Sequence, residues 1–368
     1  MPGDPVRRRQ RRRSPAGATT LLSQMERVVA VLPHLEKRLP VPAGGPAPLV
    51  VRGRVATNPH RPDPSGPVPF ERIVGEAASA EQVLPAVTSA TSIRLSKFSS
   101  GAGIRARILY HGPDGFLSAK VAVGTRQGQA AVWSAVRARR AMGQDGGMPA
   151  LPLITWGRRR RFAYLMEPFV FGHHPTSVEE RIDVGCRLID RLVAWYDSSP
   201  IEHVVPAAHP RTDLRLGELT QLLDWSPEWL PAGELLAIAA EVIPTTATMP
   251  TGWTHGDLVF SNIIATPTGS IVLVDWEHAA RRPVASDLAK LAGSMAGHTG
   301  LAEVLSRAAA SLEVPRGLTV RQQLMRCYLQ ELSWWEPKRR RAEDAGRDKG
   351  FDRWVRRRLD LLTHLAGG

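Results

Sequence analysis

The sequence predicts an α+β protein in two unlike parts, a small antiparallel-sheet lobe followed by a mostly helical lobe, both preceded by an N-terminal extension. Three observations predict it. Segments at Ser92–Phe98, Ile104–Tyr110 and Phe116–Val123 alternate as strands do and are separated by glycine-containing turns. Beyond Pro168 the apolar residues fall mostly at helical spacing. One strand-like insert, between Thr254 and Asp275, interrupts those helices.

Residues 1–18 are rich in Arg, Pro and Gly without apolar periodicity and read as a disordered basic tail. Residues 19–90 read as an extension: an amphipathic helix over Leu21–Leu39, carried by Leu21, Met25, Val28, Leu32 and Leu35, then a Pro- and Gly-interrupted linker. Residues 91–167 form the expected small lobe. It has three strands, a helix over Gln127–Met142 with Val132, Trp133 and Val136 on one face, and two strands at Leu151–Trp156 and Phe162–Met166. Residues 168–368 form the helical lobe, with helices at Glu179–Tyr196, Ala232–Val242, Asp287–Met295, Leu301–Leu312, Val320–Trp335 and Phe351–Leu365.

With 43% hydrophobic and 23% charged residues, the 368-residue chain has the composition of a folded protein rather than a disordered one. Cys186 and Cys327 are far apart and have no Cys-x-x-Cys partner, which argues against a disulfide framework or a cysteine zinc site and suits a reducing cytoplasm. No window approaches the ~20 uninterrupted apolar residues of a membrane span. Glu26 and Arg27 break the apolar positions after residue 20, so the basic start does not read as a signal peptide. The net charge of +13 comes partly from Arg7, Arg8, Arg9, Arg11, Arg12 and Arg13, but the body is basic too. Those arginines lack interleaved aromatics, which disfavours nucleic acid as the partner.

The insert carries the chemistry. It runs Trp253-Thr-His-Gly-Asp-Leu-Val-Phe-Ser-Asn-Ile-Ile, turns at Thr268-Gly269-Ser270, and continues Ile-Val-Leu-Val-Asp275-Trp-Glu. A hairpin about that turn would gather Asp257, Asn262 and Asp275, an oxygen set for a hard cation. Phosphoryl transfer needs such a set: a carboxylate for the attacking hydroxyl, oxygen ligands for magnesium, and cations for the phosphates. The plainer alternative is an ordinary hairpin in which Asp and Asn serve as turn formers.

The spacing H-G-D-x-x-x-x-N followed by V-D-W-E resembles the aminoglycoside phosphotransferase and choline kinase family, relatives of the protein kinases. The resemblance implies a bilobal protein-kinase-like fold, ATP or GTP as donor, and Mg2+. It makes Asp257 the catalytic base, Asn262 and Asp275 the metal ligands and His255 a support for the loop. Glu277 follows the metal-binding Asp, and Asp287, in Pro283-Val-Ala-Ser-Asp-Leu-Ala, buttresses the catalytic loop. In the small lobe it makes Lys120 the phosphate-pairing lysine, the loop with Ser100, Gly101 and Gly103 the phosphate cover, and the segment with Glu167 and Phe169 the hinge beside the adenine. A solvent-facing lysine and a plain hairpin turn are the alternatives for the first two. No Glu occurs between Val121 and Met166, so the helix glutamate that usually pairs with this lysine is missing, and Gln129 takes its place.

The acceptor is read from charge. Lys338–Arg341 and Arg356–Arg358 make the C-terminal region basic, which ill suits a polycationic aminoglycoside. A hydroxyl-bearing small molecule, metabolite or antibiotic-like, comes first. Next comes a Ser/Thr peptide, as a kinase of a ribosomally made precursor in modified-peptide biosynthesis would use, and then a non-catalytic pseudokinase scaffold. Trp334, Trp335 and Trp354 either pack helices or line the acceptor cleft.

Overall fold

The computed structural model describes residues 92–99, 104–112, 115–123, 126–142, 148–159, 162–205, 216–225, 232–242, 246–295, 297–313, 316–344 and 348–367. The basic tail, the Leu21–Leu39 helix and the linker expected ahead of them lie outside the described residues.

Apolar residues alternating with polar or small ones produce three strands, β1 (Ser92–Ser99), β2 (Ile104–Gly112) and β3 (Gly115–Val123). The helix α1 (Arg126–Met142) follows, then β4 (Thr155–Arg159) and β5 (Phe162–Pro168). They form one antiparallel sheet in the order β1-β2-β3-β5-β4. β5 is buried over its central five residues because strands flank it on both sides and α1 covers it. The register pairs Lys120 with Leu165 and Ser118 with Glu167, so Lys120 and Glu167 point to the same side of the sheet.

The helical lobe contains α2 (Val178–Ser198), α3 (Leu216–Trp225), α4 (Ala232–Val242), α5 (Ala285–Ser294), α6 (His298–Leu312), α7 (Val320–Leu332), α8 (Trp335–Asp344) and α9 (Asp348–Gly367). Each segment with strong apolar periodicity is a helix. α2, for example, buries Val184, Leu188, Leu192 and Trp195 along one stripe. Between α4 and α5 lie β7 (Met249–Thr254), the hairpin of β8 (Ile263–Ala265) and β9 (Ile271–Leu273), and β10 (Ala280–Pro283), with β7 between β10 and the short β6 (Glu202–Val204). A continuous apolar core joins α1 to Leu258, Leu273 and Trp276 and onward to α5, α7 and α9. This is the bilobal, protein-kinase-like α+β arrangement, and among the described residues no helix is long and apolar enough to cross a membrane.

The expected helix Val320–Trp335 is two helices, parted at Ser333 and Trp334. α7 starts in a capping box, Thr319 accepting from Gln322 N–H at 3.2 Å while the Gln322 side chain accepts from Thr319 N–H at 3.1 Å. Thr319→Ala is expected to lower the unfolding free energy by about 1 kcal/mol, read from the urea midpoint, without changing transfer activity.

Candidate active site

β7 delivers the chain into the turn His255-Gly256-Asp257. Gly256 sits at φ 80°, and a Cβ there would lie 2.2 Å from the His278 carbonyl oxygen, so only glycine fits. The turn is held from behind. Asp287, fully buried in the first turn of α5, accepts from His255 N–H at 2.6 Å and Gly256 N–H at 2.8 Å.

His255 is buried against Trp276, ring centroids 4.6 Å apart, and its Nε2 donates to the Val274 carbonyl at 2.7 Å. That bond leaves Nδ1 as an acceptor, which the Asp257 N–H meets at 3.3 Å. Burial pushes the imidazole pKa below its ordinary value despite Asp287 beside it, so the ring is neutral, as both bonds require. His255 thus splices the loop to the end of β9.

Asp257 Oδ1 lies 3.1 Å from the Lys290 ammonium, which also donates to the Gly256 carbonyl at 2.6 Å. Asn262 Nδ2 donates to the Asp257 backbone carbonyl at 2.8 Å and reaches Oδ2 at 3.2 Å. Burial acts to raise the Asp257 carboxyl, but Lys290 prevails and holds it below its usual range. Asn262 is joined in turn to the other arm of the hairpin, its carbonyl accepting from Val274 N–H at 3.0 Å.

Asp275 follows immediately and adopts the left-handed conformation, φ 64° and ψ 49°, uncommon for a residue with a side chain. Its Oδ1 accepts from Lys120 at 2.6 Å. A second carboxylate, Glu167, stands 3.8 Å from the same ammonium and forms a buried ion pair with Arg139 of α1, which also donates to the Leu151 carbonyl. The structure therefore brings Asp257, Asn262, Asp275, Lys120, His255 and Asp287 into one connected set.

The remaining expected positions lie outside this connected set. Gln129 is buried in α1, yet among the described residues the Lys120 ammonium meets Asp275 and Glu167 instead. Glu167, expected to matter through its backbone at the hinge, turns its side chain inward to Lys120 and Arg139. Phe169 is half-buried and packs edge-on against Phe171, centroids 5.0 Å apart. Glu277 is half-buried in the short 3-10 turn after Asp275. Ser100, Gly101 and Gly103 lie outside the described residues. Lys290 and Arg139 were not singled out in the sequence. The signal for Lys290 is its place three residues after Asp287 on one helix face.

Asp287→Ala strips two buried N–H groups of a charged acceptor at once and is expected to destabilise the fold by roughly 3–5 kcal/mol in urea unfolding. Asp287→Asn, which keeps one carbonyl oxygen, should lose about half as much.

Three solved structures illustrate the similarity. An aminoglycoside phosphotransferase from Alicyclobacillus acidocaldarius is 17% identical, with 71% of this chain and 89% of that one covered and a TM-score of 0.43. A choline kinase from Streptococcus pneumoniae is 16% identical, with 71% and 90% covered and a TM-score of 0.44. An aminoglycoside 2'-phosphotransferase IIIa in complex with GDP is 16% identical, with 76% and 92% covered and a TM-score of 0.48. No curated protein matches by sequence. The model of the APH phosphotransferase enzyme family matches residues 134–324, more than half of the 368-residue chain and all of the His255–Asp257 turn, the hairpin and α5 that hold the site together, and the chain therefore belongs to that family.

Proposed function

We propose that this phosphotransferase moves the γ-phosphoryl group of ATP or GTP to an alcohol hydroxyl of a small molecule, with Asp257 as base, Asn262 and Asp275 as magnesium ligands and Lys120 on the nucleotide phosphates. The observation that carries the reading is the hydrogen-bonded path from Asp257 through Asn262 and Val274 to Asp275 and Lys120, closed by the 2.6 Å contact between the last two.

The donor set suits magnesium. Asn262 spends its Nδ2 on Asp257, and among the described residues nothing meets its Oδ1. That oxygen and the Asp275 carboxylate would offer magnesium two hard oxygen ligands, the donor type it prefers. When bound, the ion offsets negative charge on the phosphates.

The residues divide the remaining work. Asp257, kept ionised by Lys290, orients the acceptor hydroxyl and takes its proton as the oxygen attacks the γ-phosphorus and the bond to the β-phosphate oxygen breaks. Lys120 exchanges Asp275 for phosphate oxygens when nucleotide and metal arrive. Glu167 then keeps the lysine aligned, a carboxylate from β5 doing what the missing helix glutamate would do. This geometry favours catalysis over a scaffold role, whose main support in the sequence is that missing glutamate. The basic C-terminal helices favour an acceptor that is not a polycation.

Asp257→Asn should bind magnesium nucleotide within about two-fold of wild type and lose transfer by about 100-fold or more, whereas Asp275→Ala should lose the magnesium-dependent part of nucleotide affinity. Full activity in either variant would overturn the assignment. Glu167→Gln leaves Arg139 buried without its partner and should cost roughly 3–5 kcal/mol of stability. The double variant Arg139→Gln/Glu167→Gln removes the whole pair and should regain most of that stability, yet transfer should stay about ten-fold low. Recovery of both stability and turnover in the double variant would show that Glu167 acts only through Arg139.

A further inference from the structure

Beyond Lys290, which meets Asp257, the helical lobe gathers a cluster of cations around Glu331. The Tyr328 hydroxyl donates to the Ala289 carbonyl at 2.8 Å, locking α7 to α5 where Lys290 emerges. Arg357 of α9 donates to the Met295 carbonyl at 3.0 Å, which sets α9 against the end of α5. Glu331, one turn beyond Tyr328, therefore faces the same region and feels Arg358, Lys338 and Lys290 together. Burial would raise its carboxyl, but these cations prevail and hold it ionised.

Pairing consumes most of this charge. Arg358 donates to Glu331 at 2.8 Å, and Lys290 is matched to Asp257. Lys338 is left over. Among the described residues its ammonium has no hydrogen-bond or carboxylate partner within bonding distance, and it rests 3.8 Å above the centre of the Trp354 ring, with Arg358 over the same ring at 4.8 Å. Burial, with Arg358, Lys290 and Arg341 beside it, pushes its pKa down to about 8 against the opposing pull of Glu331, so burial and the neighbouring cations outweigh the one carboxylate that acts on it. A half-buried excess charge is costly in the free protein, and an anion placed there removes the cost.

Building on the kinase reading above, we propose that Lys338, held on Trp354 beside Arg358, is an oxyanion subsite of the acceptor pocket, so that the substrate is a small alcohol bearing a carboxylate or phosphate. Lys338 binds the anionic end while Asp257 takes the hydroxyl. Both anion types share the chemistry the ammonium reads, a compact oxyanion able to accept its N–H bonds. Lys338 is a specificity-determining residue and takes no part in phosphoryl transfer.

The test uses the full chain saturated with MgADP, which fills the nucleotide side. Glycerate, glycerol 3-phosphate, glycerol and 3-aminopropane-1,2-diol are titrated by calorimetry into wild type, Lys338→Met and Lys338→Arg. The two anions should bind about ten-fold or more tightly than the uncharged and aminated alcohols. Lys338→Met should abolish that preference without altering MgADP affinity, and Lys338→Arg should retain it. Which of the two anions binds better decides between carboxylate and phosphate. Equal binding of all four alcohols, tighter binding of the amine, or anion binding unchanged in Lys338→Met would overturn the proposal, as would tighter binding of an acidic Ser- or Thr-containing peptide than of either small anion. Failure of wild type to bind MgADP would overturn the kinase reading itself, and the subsite with it.

Discussion

The site depends on one buried carboxylate. Asp287 has no access to solvent, and its two oxygens are committed to consecutive backbone N–H groups of the loop that presents Asp257. A turn with a glycine at φ 80° and a carbonyl 2.2 Å from where a Cβ would stand has little conformational support of its own. Asp287 supplies that support from α5, and the same helix supplies Lys290 to the Asp257 carboxylate. Loop and helix are thus fixed as one unit, and the hairpin joins it through His255 and Val274. The neutrality of His255 belongs to the same logic, because an imidazolium could not accept from Asp257 N–H while donating to Val274.

At the end of the site proposed to hold nucleotide, the charges close on themselves. Lys120 faces two carboxylates, Asp275 and Glu167, and Arg139 neutralises the excess from α1. Lys120 stays on the sheet, but the acid that braces it stands on β5 rather than on the helix, and the helix supplies a cation, Arg139, in place of the glutamate usual for kinases. The exchange keeps the same physical requirement, a lysine braced by a buried acid, and preserves the tie between α1 and the sheet. It also explains how a helix with no acidic residue in its first turn can still be anchored over the site.

Much of this was legible in the sequence because periodicity and spacing are local. The three strands from Ser92, the helix after Gln127 and the helices from Ala232 and Leu301 all follow from apolar repeats, and the motif residues Asp257, Asn262 and Asp275 adjoin in space because a hairpin requires it. What escaped depends on distant partners. β7 and β10 are short, and β7 contains Pro250 and Gly252, so its strand character comes from being sandwiched between β6 and β10. α8 is mostly charged and carries Pro337 in its first turn, and its place is set by Trp335, which stacks on Trp225 and donates to the Glu218 carbonyl at 2.7 Å. Of the three tryptophans noted in the sequence, Trp335 packs in the core, Trp334 is exposed and Trp354 carries Lys338. The inward turn of Glu167 was hidden because its meaning lies in register with Ser118 and Lys120, not in its neighbours along the chain.

The two ends of the site differ in how far charge is balanced, and under the proposed function the difference follows from what each would bind. Nucleotide phosphates arrive with magnesium, so a lysine paired beforehand to acids can exchange one acid for the incoming complex at little net change in local charge. An acceptor arrives without a metal, and any charge on it must be met by the protein alone. A site that, as proposed, holds one ammonium on an aromatic ring without a bonded carboxylate, beside an arginine already committed to Glu331, would be complementary to a single negative group and would penalise a second positive one. On that reading, selectivity against cationic alcohols needs no steric barrier, since the excess positive charge supplies the repulsion.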